Sequence, residues 1–460
     1  MTATERLADR LDPAIVDDKP TAAPRDLRPT ALIRRRQGDP SPFDGAIVRP
    51  REPSEVAQIL VWARESATPV VPFGAGSGVC GAIAPDRGIV LDLRAMNEIV
   101  DFDDKSRLVR VQAGVTGPQL TAFLDERGFM LGHEPQSIAI STVGGWLATR
   151  ACGQLSAKYG GIEERVAGLE AVLPNGTVVR SKIVPRRAAG PDVASLMLGS
   201  EGTLGVITQA TLRVFPRPDV RADRCMLFDH MADGVQACRK VAQSDLEPTV
   251  VRLYDREDTF LFMRRENDPP EGNVLLLSFD GRDAEARADE AVDLAGGRSL
   301  EPRFVEHWWA HRNDAVEEFA SVMRGEGLLG PHGVVDTMEV SGTWSVLRDL
   351  YHSMKQALTP LADFTGCHLS HVYPDGACLY FTLAAATPDD EAALAANERW
   401  WDVGMRACLD AGGSISHHHG IGRLKAPWLE EELGGWYQVL VAVKRAVDPE
   451  GIMNPGALGL

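Results

Sequence analysis

Pro72-Phe73-Gly74-Ala75-Gly76-Ser77-Gly78-Val79-Cys80-Gly81 decides the fold. Pro69-Val70-Val71 just before it reads as a strand running into a glycine loop. Gly76 to Gly81 matches G-x-G-x-x-G, the spacing of the Rossmann dinucleotide fingerprint. That fingerprint needs a helix next, its N-terminus against a pyrophosphate. AIAPDRGIVLDL follows instead, with Pro85 and Gly88 ahead of a second strand. Bare amides on closely spaced glycines can still form a nest for phosphate oxygens. A tight turn between strands is the plain alternative.

Three further glycine loops lie outward from this one. Ser141-Thr142-Val143-Gly144-Gly145-Trp146 runs on to Ala148-Thr149-Arg150-Ala151-Cys152-Gly153. Gly199-Ser200-Glu201-Gly202-Thr203-Leu204-Gly205-Val206-Ile207-Thr208 is the next, and Asn454-Pro455-Gly456 closes the chain. Several such loops suit a long ligand threaded between subdomains.

Around them the sequence is ordinary globular protein: 460 residues, 44% hydrophobic and 25% charged. The net charge of −17 disfavours phosphate backbones and anionic lipid, so nucleic acid is excluded as a partner. Cysteines at 80, 152, 225, 238, 367, 378 and 408 form no CxxC pair and read as reduced cytosolic thiols. Residues 1–40 hold no apolar run, so no signal peptide is expected, and no window approaches a membrane span. The expected localisation is cytoplasmic.

Element patterns divide the chain. A helix starts at Pro53-Ser54, PQLTAFLDERG is a short helix closed by Gly128, and GLEAVLPNGTVV is a hairpin. Beyond Pro216 and Pro218, helix patterns such as WSVLRDLYHSMKQAL alternate with strands such as PTVVRLYD, NVLLLSFDG and ACLYFTLAAA. That mixture suggests an α+β domain, a sheet with helices on one face. The expected layout is a flexible lead-in over 1–40, a first domain over 41–218, a second over 219–415, and a segment over 416–460 that returns to the first.

PFGAGSG, STVGG, GSEGTLGVIT and the terminal NPG together resemble the FAD domain of the vanillyl-alcohol oxidase / p-cresol methylhydroxylase superfamily, in order and approximate spacing. Two longer stretches, GHEPQSIAISTVGGWLATRACGQLSAKYGGIEE (132–164) and GGSISHHHGIGRLKAPWL (412–429), resemble the alkylglycerone-phosphate synthase family. The resemblance implies an α+β, two-domain FAD-binding fold of the vanillyl-alcohol-oxidase/PCMH type with an α+β cap domain, not a Rossmann fold. It implies non-covalent FAD. The FAD-contacting residues carry over as Pro72, Phe73, Gly74, Ala75, Gly76, Ser77 and Gly78; Gln136, Ser137, Ile138, Ser141, Thr142 and Gly145; Thr149, Arg150, Ala151 and Cys152; Glu201, Gly202, Thr203, Leu204, Gly205, Val206 and Ile207; and Asn454.

The family's catalytic tyrosine matches Tyr373, its histidine triplet His417, His418 and His419, and its functional arginine Arg252. A substrate-anion arginine matches Arg324, although Gly325 follows where the pattern has Asp. These side chains are expected to converge from the cap on the isoalloxazine. The implied reaction replaces the fatty acid of an acylated keto-phosphate with a fatty alcohol, through flavin N5. It needs a proton acceptor beside the substrate carbon and groups for an anionic head. A tyrosine serves if a cation lowers its pKa, and Arg252 or a triplet histidine is the expected cation.

Plainer readings stand beside these. Tyr373 could be an ordinary strand-end tyrosine, and the arginines solvated charges. In an extended segment His417 and His419 share a face while His418 points away. An H-x-H pair can also ligate a metal, although no metal is expected here. Cys80 reads as packing rather than a flavin attachment.

An FAD-dependent oxidoreductase acting on a hydroxy-substrate such as a 2-hydroxy acid is the main rival. Its H-x-G-D-G-N-x-H metal motif becomes His371-Val372-Tyr373-Pro374-Asp375-Gly376-Ala377-Cys378, and its G-E-H-G-I-G becomes His417-His418-His419-Gly420-Ile421-Gly422. Both departures remove metal ligands. A binding protein with a vestigial flavin site is a third class. The insert FLFMRRENDPPEG is shorter than the apolar, lipid-contacting region of the eukaryotic synthases. The expected partner is a small anionic substrate, phosphate or carboxylate, with peripheral membrane contact and a homodimer left open.

Overall fold

In the computed structural model, which describes residues 12–17, 20, 22, 24–38 and 43–460, the first sheet is small and has the order β1-β2-β4-β3. Its strands are β1 (Val16–Asp17), β2 (Asp44–Val48), β3 (Val70–Phe73) and β4 (Arg87–Asp92). The helix Pro53–Glu65 links β2 to β3. Pro53 sits where a missing N–H costs nothing, and Val56, Ile59, Leu60 and Ala63 form one buried stripe. The glycine loop leaves β3 and leads to the parallel strand β4, not to a helix. This is the non-Rossmann outcome.

An antiparallel sheet of order β5-β6-β10-β8-β9 follows, from β5 (Ile99–Asp103), β6 (Leu108–Gln112), β8 (Val166–Val172), β9 (Val178–Arg180) and β10 (Val206–Arg213). A ribbon of β7 (Phe129–Met130) and β11 (Phe215–Pro216) lies beside it.

The remaining strands form one seven-stranded antiparallel sheet, order β15-β12-β14-β13-β17-β18-β16. They are β12 (Arg221–Phe228), β13 (Val250–Tyr254), β14 (Asn273–Asp280), β15 (Arg298–Ser299), β16 (Val334–Thr343), β17 (Phe364–Val372) and β18 (Gly376–Ala385). Period-two alternation splits its faces. Leu253, Leu275, Leu277, Leu369, Leu379, Phe381 and Val340 form the main core with residues of helices Met231–Ala242, Ala284–Ala295, Trp344–Leu358 and Asp390–Asp410. The opposite face carries Arg252, Tyr254, His368, Tyr380 and Glu339. Cross-strand pairing lines up Tyr254, His368, Tyr380 and Glu339 in a single row.

A β-bulge in β17 matters to this face. Leu369 pairs with Leu379, but His371, not Ser370, pairs with Cys378. The inserted residue turns His371 from the core side, where Leu369 points, to the side of His368.

The C-terminal segment returns to the first domain. Met453 bridges to Val70, and Lys444 Nζ donates to the carbonyl of Thr203 at 2.8 Å. The expected flexible lead-in is corrected in part. Residues 1–11, 18, 19, 21, 23, 39 and 40 lie outside the described residues. Helix Pro29–Arg36 is packed, with Ile33 fully buried in the cap core and Arg36 Nη2 2.6 Å from Asp390.

Candidate active site

The glycine loops of the first domain and the C-terminal segment interlock. Leu424 N donates to the Cys80 carbonyl at 3.0 Å. Gly422 has φ +56°, and a Cβ there would stand 2.0 Å from that same oxygen, so only glycine fits. Glu201 accepts from the amides of Ile421 at 2.6 Å and Gly422 at 2.8 Å. Burial raises its carboxyl to about 7, with these two amides opposing the rise. Asn454 donates to the carbonyls of Glu201 and Ala82.

These contacts refine the expected FAD residues. The side chains of Glu201 and Asn454 tie loops together, Phe73 packs with Ile47 and Val90, and Leu204, Val206 and Ile207 lie in the core. Arg150 turns its exposed guanidinium to Glu163. Gln136 donates to the Arg312 carbonyl of the cap at 3.0 Å. What these loops offer a cofactor is chiefly backbone.

Gly74 marks the cradle. A Cβ there would lie 2.5 Å from Thr142 Oγ1, an atom that is buried with no partner in the protein. Both ring nitrogens of buried His133 are likewise unpartnered, and burial pulls its pKa down to about 3. Orphaned polar atoms between glycine loops fit a polar, elongated ligand such as FAD. Gly145 also lies beside Thr142, whereas Gly76 and Gly78 face the backbone of Arg25 and the side chain of Asp26, Ile138 packs on Gly117, and Ser141 Oγ accepts from Trp146 Nε1.

The catalytic candidates meet at the inner face of the cap sheet. Tyr373 Oη lies 3.0 Å from His417 Nε2 and 3.4 Å from Cys152 Sγ, a residue of the first domain. His371, aimed by the bulge, stacks on His417 with ring centroids 4.9 Å apart and contacts Ser156 Oγ at 2.7 Å.

The triplet is not extended. Glu339, fully buried, accepts from the backbone amides of His417 and His419, from Ser416 Oγ at 3.1 Å and from Lys425 Nζ at 2.7 Å. Chain wrapped around one carboxylate brings all three rings together, with His417 Nδ1 3.0 Å from His418 Nδ1 and His418 stacked on Tyr380. This corrects the expectation that His418 points away. Burial would raise Glu339, yet Lys425, His419 and His418 hold it well below the usual carboxylate range. Burial lowers all three triplet histidines, so they are neutral near pH 7.

Tyr373 corrects a second expectation. Burial, with Cys152 adding to it, drives its pKa up, and no cation offsets this. The hydroxyl therefore works as a neutral group beside a neutral imidazole. Arg252 does reach this face, 5% exposed, with Nη2 2.6 Å from His368 Nε2. Arg324 does not. It ends helix Ala315–Met323 with an exposed side chain bound to Glu317 and Glu326.

Glu339, Lys425, His368, His371 and Ser156 belong to the site and escape sequence reasoning about roles. His371 and Lys425 lay inside motifs that drew attention. Ser156 lies within the 132–164 stretch, while Glu339 and His368 carry no local signal. Cys152, His371 and His417, and also Cys378, His417 and His418, place potential metal-ligand atoms within 4.8 Å of one another.

Comparisons with known proteins bear on the family, the fold and the cofactor. A family described as "FAD binding domain" matches residues 45–182, and "FAD linked oxidases, C-terminal domain" matches residues 217–458. An uncharacterized FAD-linked oxidoreductase, YgcU of Escherichia coli (strain K12), is 31% identical over 91% of this chain and 89% of its own. The alkyldihydroxyacetonephosphate synthase of Caenorhabditis elegans is 29% identical over 92% of this chain and 77% of its own. The glycolate oxidase subunit GlcD of Bacillus subtilis (strain 168) is 27% identical over 90% of this chain and 88% of its own.

Among solved structures, an alkyldihydroxyacetonephosphate synthase superposes with a TM-score of 0.78 at 27% identity, over 98% of this chain and 84% of that one. A p-cresol methylhydroxylase gives 0.77 at 18% identity, over 100% and 96%, and so shares the fold. The chain thus belongs to the FAD-linked oxidases, as an enzyme with FAD as its cofactor and the vanillyl-alcohol-oxidase/PCMH-type fold of the alkyldihydroxyacetonephosphate synthases.

Proposed function

We propose that this enzyme exchanges the acyl group of an acylated keto-phosphate of the acyl-dihydroxyacetone phosphate type for an alcohol. The contact between Tyr373 and His417 carries the reading. Bound FAD supplies the reactive N5 and the electron-accepting ring. The protein supplies proton management, orientation and dryness.

As Tyr373 Oη takes a proton from the substrate carbon, its own hydroxyl proton passes to Nε2 of His417. The reverse transfer returns a proton to that carbon once the acyl group has left as a carboxylate and the alcohol, giving up its own proton, has taken its place. The tautomer that accepts from Tyr373 carries its own proton on Nδ1, where it donates to Nδ1 of His418, so one tautomer set satisfies both contacts. Glu339 and Lys425 hold that segment in place. Arg252, a planar fork on the same face, suits the anionic head. Cys378 stands where the metal-dependent 2-hydroxyacid enzymes resemble one another in a second histidine, which favours chemistry without that metal set.

A second reading is oxidation of a small hydroxy-substrate, with Tyr373 as base and FAD as acceptor. The short segment after Asp255 favours it. Helix Arg256–Met263 exposes Phe260 but offers little apolar surface for a long chain. Anaerobic mixing of the holoenzyme with candidate substrates separates the two. Alcohol incorporation into acyl-dihydroxyacetone phosphate without lasting flavin bleaching supports exchange. Bleaching by a 2-hydroxy acid with no exchange overturns it in favour of oxidation.

A further inference from the structure

Arg252 presents an electrostatic problem that the reaction scheme leaves unsolved. It is 5% exposed, and among the described residues no carboxylate pairs with it directly. Its Nε is buried with no partner. The rings of Tyr254 and Trp308 lie 5.5 and 5.8 Å from its guanidinium carbon, which is weak compensation for a desolvated cation. A lone buried charge is costly unless something balances it.

A carboxyl stands at one remove, that of Asp258. Burial raises it to about 7 against the pull of Arg252 and Lys355, so it is fully ionised, and balances the cation, only above that pH. Arg252 Nη2 donates to His368 Nε2 at 2.6 Å, and His368 Nδ1 lies 2.5 Å from Asp258 Oδ2. His368 and Asp258 are 6% and 4% exposed. Burial and the neighbouring Arg252 keep His368 neutral, so it carries one ring proton. Because Arg252 can only donate, that proton must sit on Nδ1 and point at Asp258. The imidazole is clamped between Tyr254 and Tyr380, with centroids 5.0 and 4.9 Å away.

Asp258 is fixed as well. It sits in the first turn of helix Arg256–Met263, whose N-cap Asp255 accepts from the Asp258 amide at 2.9 Å and from Lys355 Nζ at 3.0 Å. A carboxylate touching Arg252 directly would occupy the fork. An imidazole spacer polarised from behind orients the fork and leaves it free for a ligand.

We propose that Asp258 and His368 are positioning residues that hold Arg252 as the binding group for the anionic head of the substrate. The proposal rests on the reading that this site takes an anionic substrate, not on whether the chemistry is exchange or oxidation. It also moves the anion-binding role from Arg324, which is exposed and engaged by its own carboxylates, to Arg252.

The test is calorimetric titration of the FAD-loaded enzyme with inorganic phosphate and with oxalate, so that a phosphate and a carboxylate head are distinguished. Wild type is expected to bind at least one, and Arg252→Met to lose it. His368→Phe keeps the ring volume but removes both nitrogens, and is expected to weaken binding at least about tenfold. His368→Gln, which can still accept from Arg252, is expected to recover most of that loss. Asp258→Asn should fall between wild type and His368→Phe. Each variant is checked for its flavin spectrum and melting temperature. A merely structural role predicts that His368→Gln and His368→Phe behave alike.

Binding by His368→Phe at wild-type strength overturns the positioning role. Equal binding by wild type and Arg252→Met, or no binding of either anion by wild type, overturns the subsite itself. Failure of the exchange reaction with anion binding intact would instead count against the proposed function alone.

Discussion

Tyr373 Oη stands 3.0 Å from Nε2 of His417, joining a tyrosine carried by the cap sheet to an imidazole carried by the C-terminal segment. Removing the acceptor with His417→Phe is expected to lower turnover by about 10²–10⁴-fold, the range of a lost general acid–base partner, while FAD stays bound. Because burial lowers the pKa of His417, the rate of wild type should stay flat through neutral pH and fall only below about 6.5, as the ring becomes protonated. A pH–rate profile checks both statements.

The pair Glu339–Lys425 is wholly buried at 2.7 Å and holds the triplet segment. Removing either partner alone, by Glu339→Gln or Lys425→Met, leaves an uncompensated group and should cost about 3–5 kcal/mol of stability. The double variant should be less destabilised than the two singles added together. Urea unfolding of the four proteins measures this coupling.

Gly74→Ala introduces a methyl group against Thr142 Oγ1, in a wall that is expected to face the cofactor. Overpacking of this kind costs about 1–3 kcal/mol, so FAD should bind about fivefold to a hundredfold more weakly. Flavin fluorescence titration of the apoprotein reads the change. Unaltered affinity would remove Gly74 from the cofactor cradle.

Buried His133 makes the fold sensitive to acid. Its folded pKa is about 3 against an ordinary 6.5, so the unfolded chain takes up the proton first as pH falls. The resulting stability is complete above 6.5 and erodes as pH drops toward 3, by about 1.4 kcal/mol per pH unit for one proton. His133→Phe should flatten the acid limb by about that slope. Denaturation at several pH values between 4.5 and 6.5 compares the two proteins.

Much of the architecture was legible because the glycine loops carry their information locally. Pro85 and Gly88 after Gly81 already forbid a Rossmann helix, and the stripe after Pro53 already gives a helix. The cap helices were similarly visible in their 3.6-residue period. β16 and β17 were harder to see, because Asp336, Glu339, His368 and His371 are buried polar residues that break the apolar signature of a strand. The bulge at Ser370 is set by pairing with a strand further along the chain, so the composition of β17 alone does not reveal it. For the same reason the expectation for the triplet assumed an extended backbone, whereas Glu339 curls it. Arg324 was placed by motif alignment, and the carboxylates of Glu317 and Glu326 beside it hold it at the surface.

The central claim is that Tyr373 moves the proton in the flavin-dependent reaction. Its direct test is Tyr373→Phe holoenzyme under anaerobic conditions, following alcohol incorporation and the flavin spectrum together. FAD is expected to stay bound with an unchanged resting spectrum, and turnover to fall by about 10²–10⁴-fold. Turnover at the wild-type rate would contradict it.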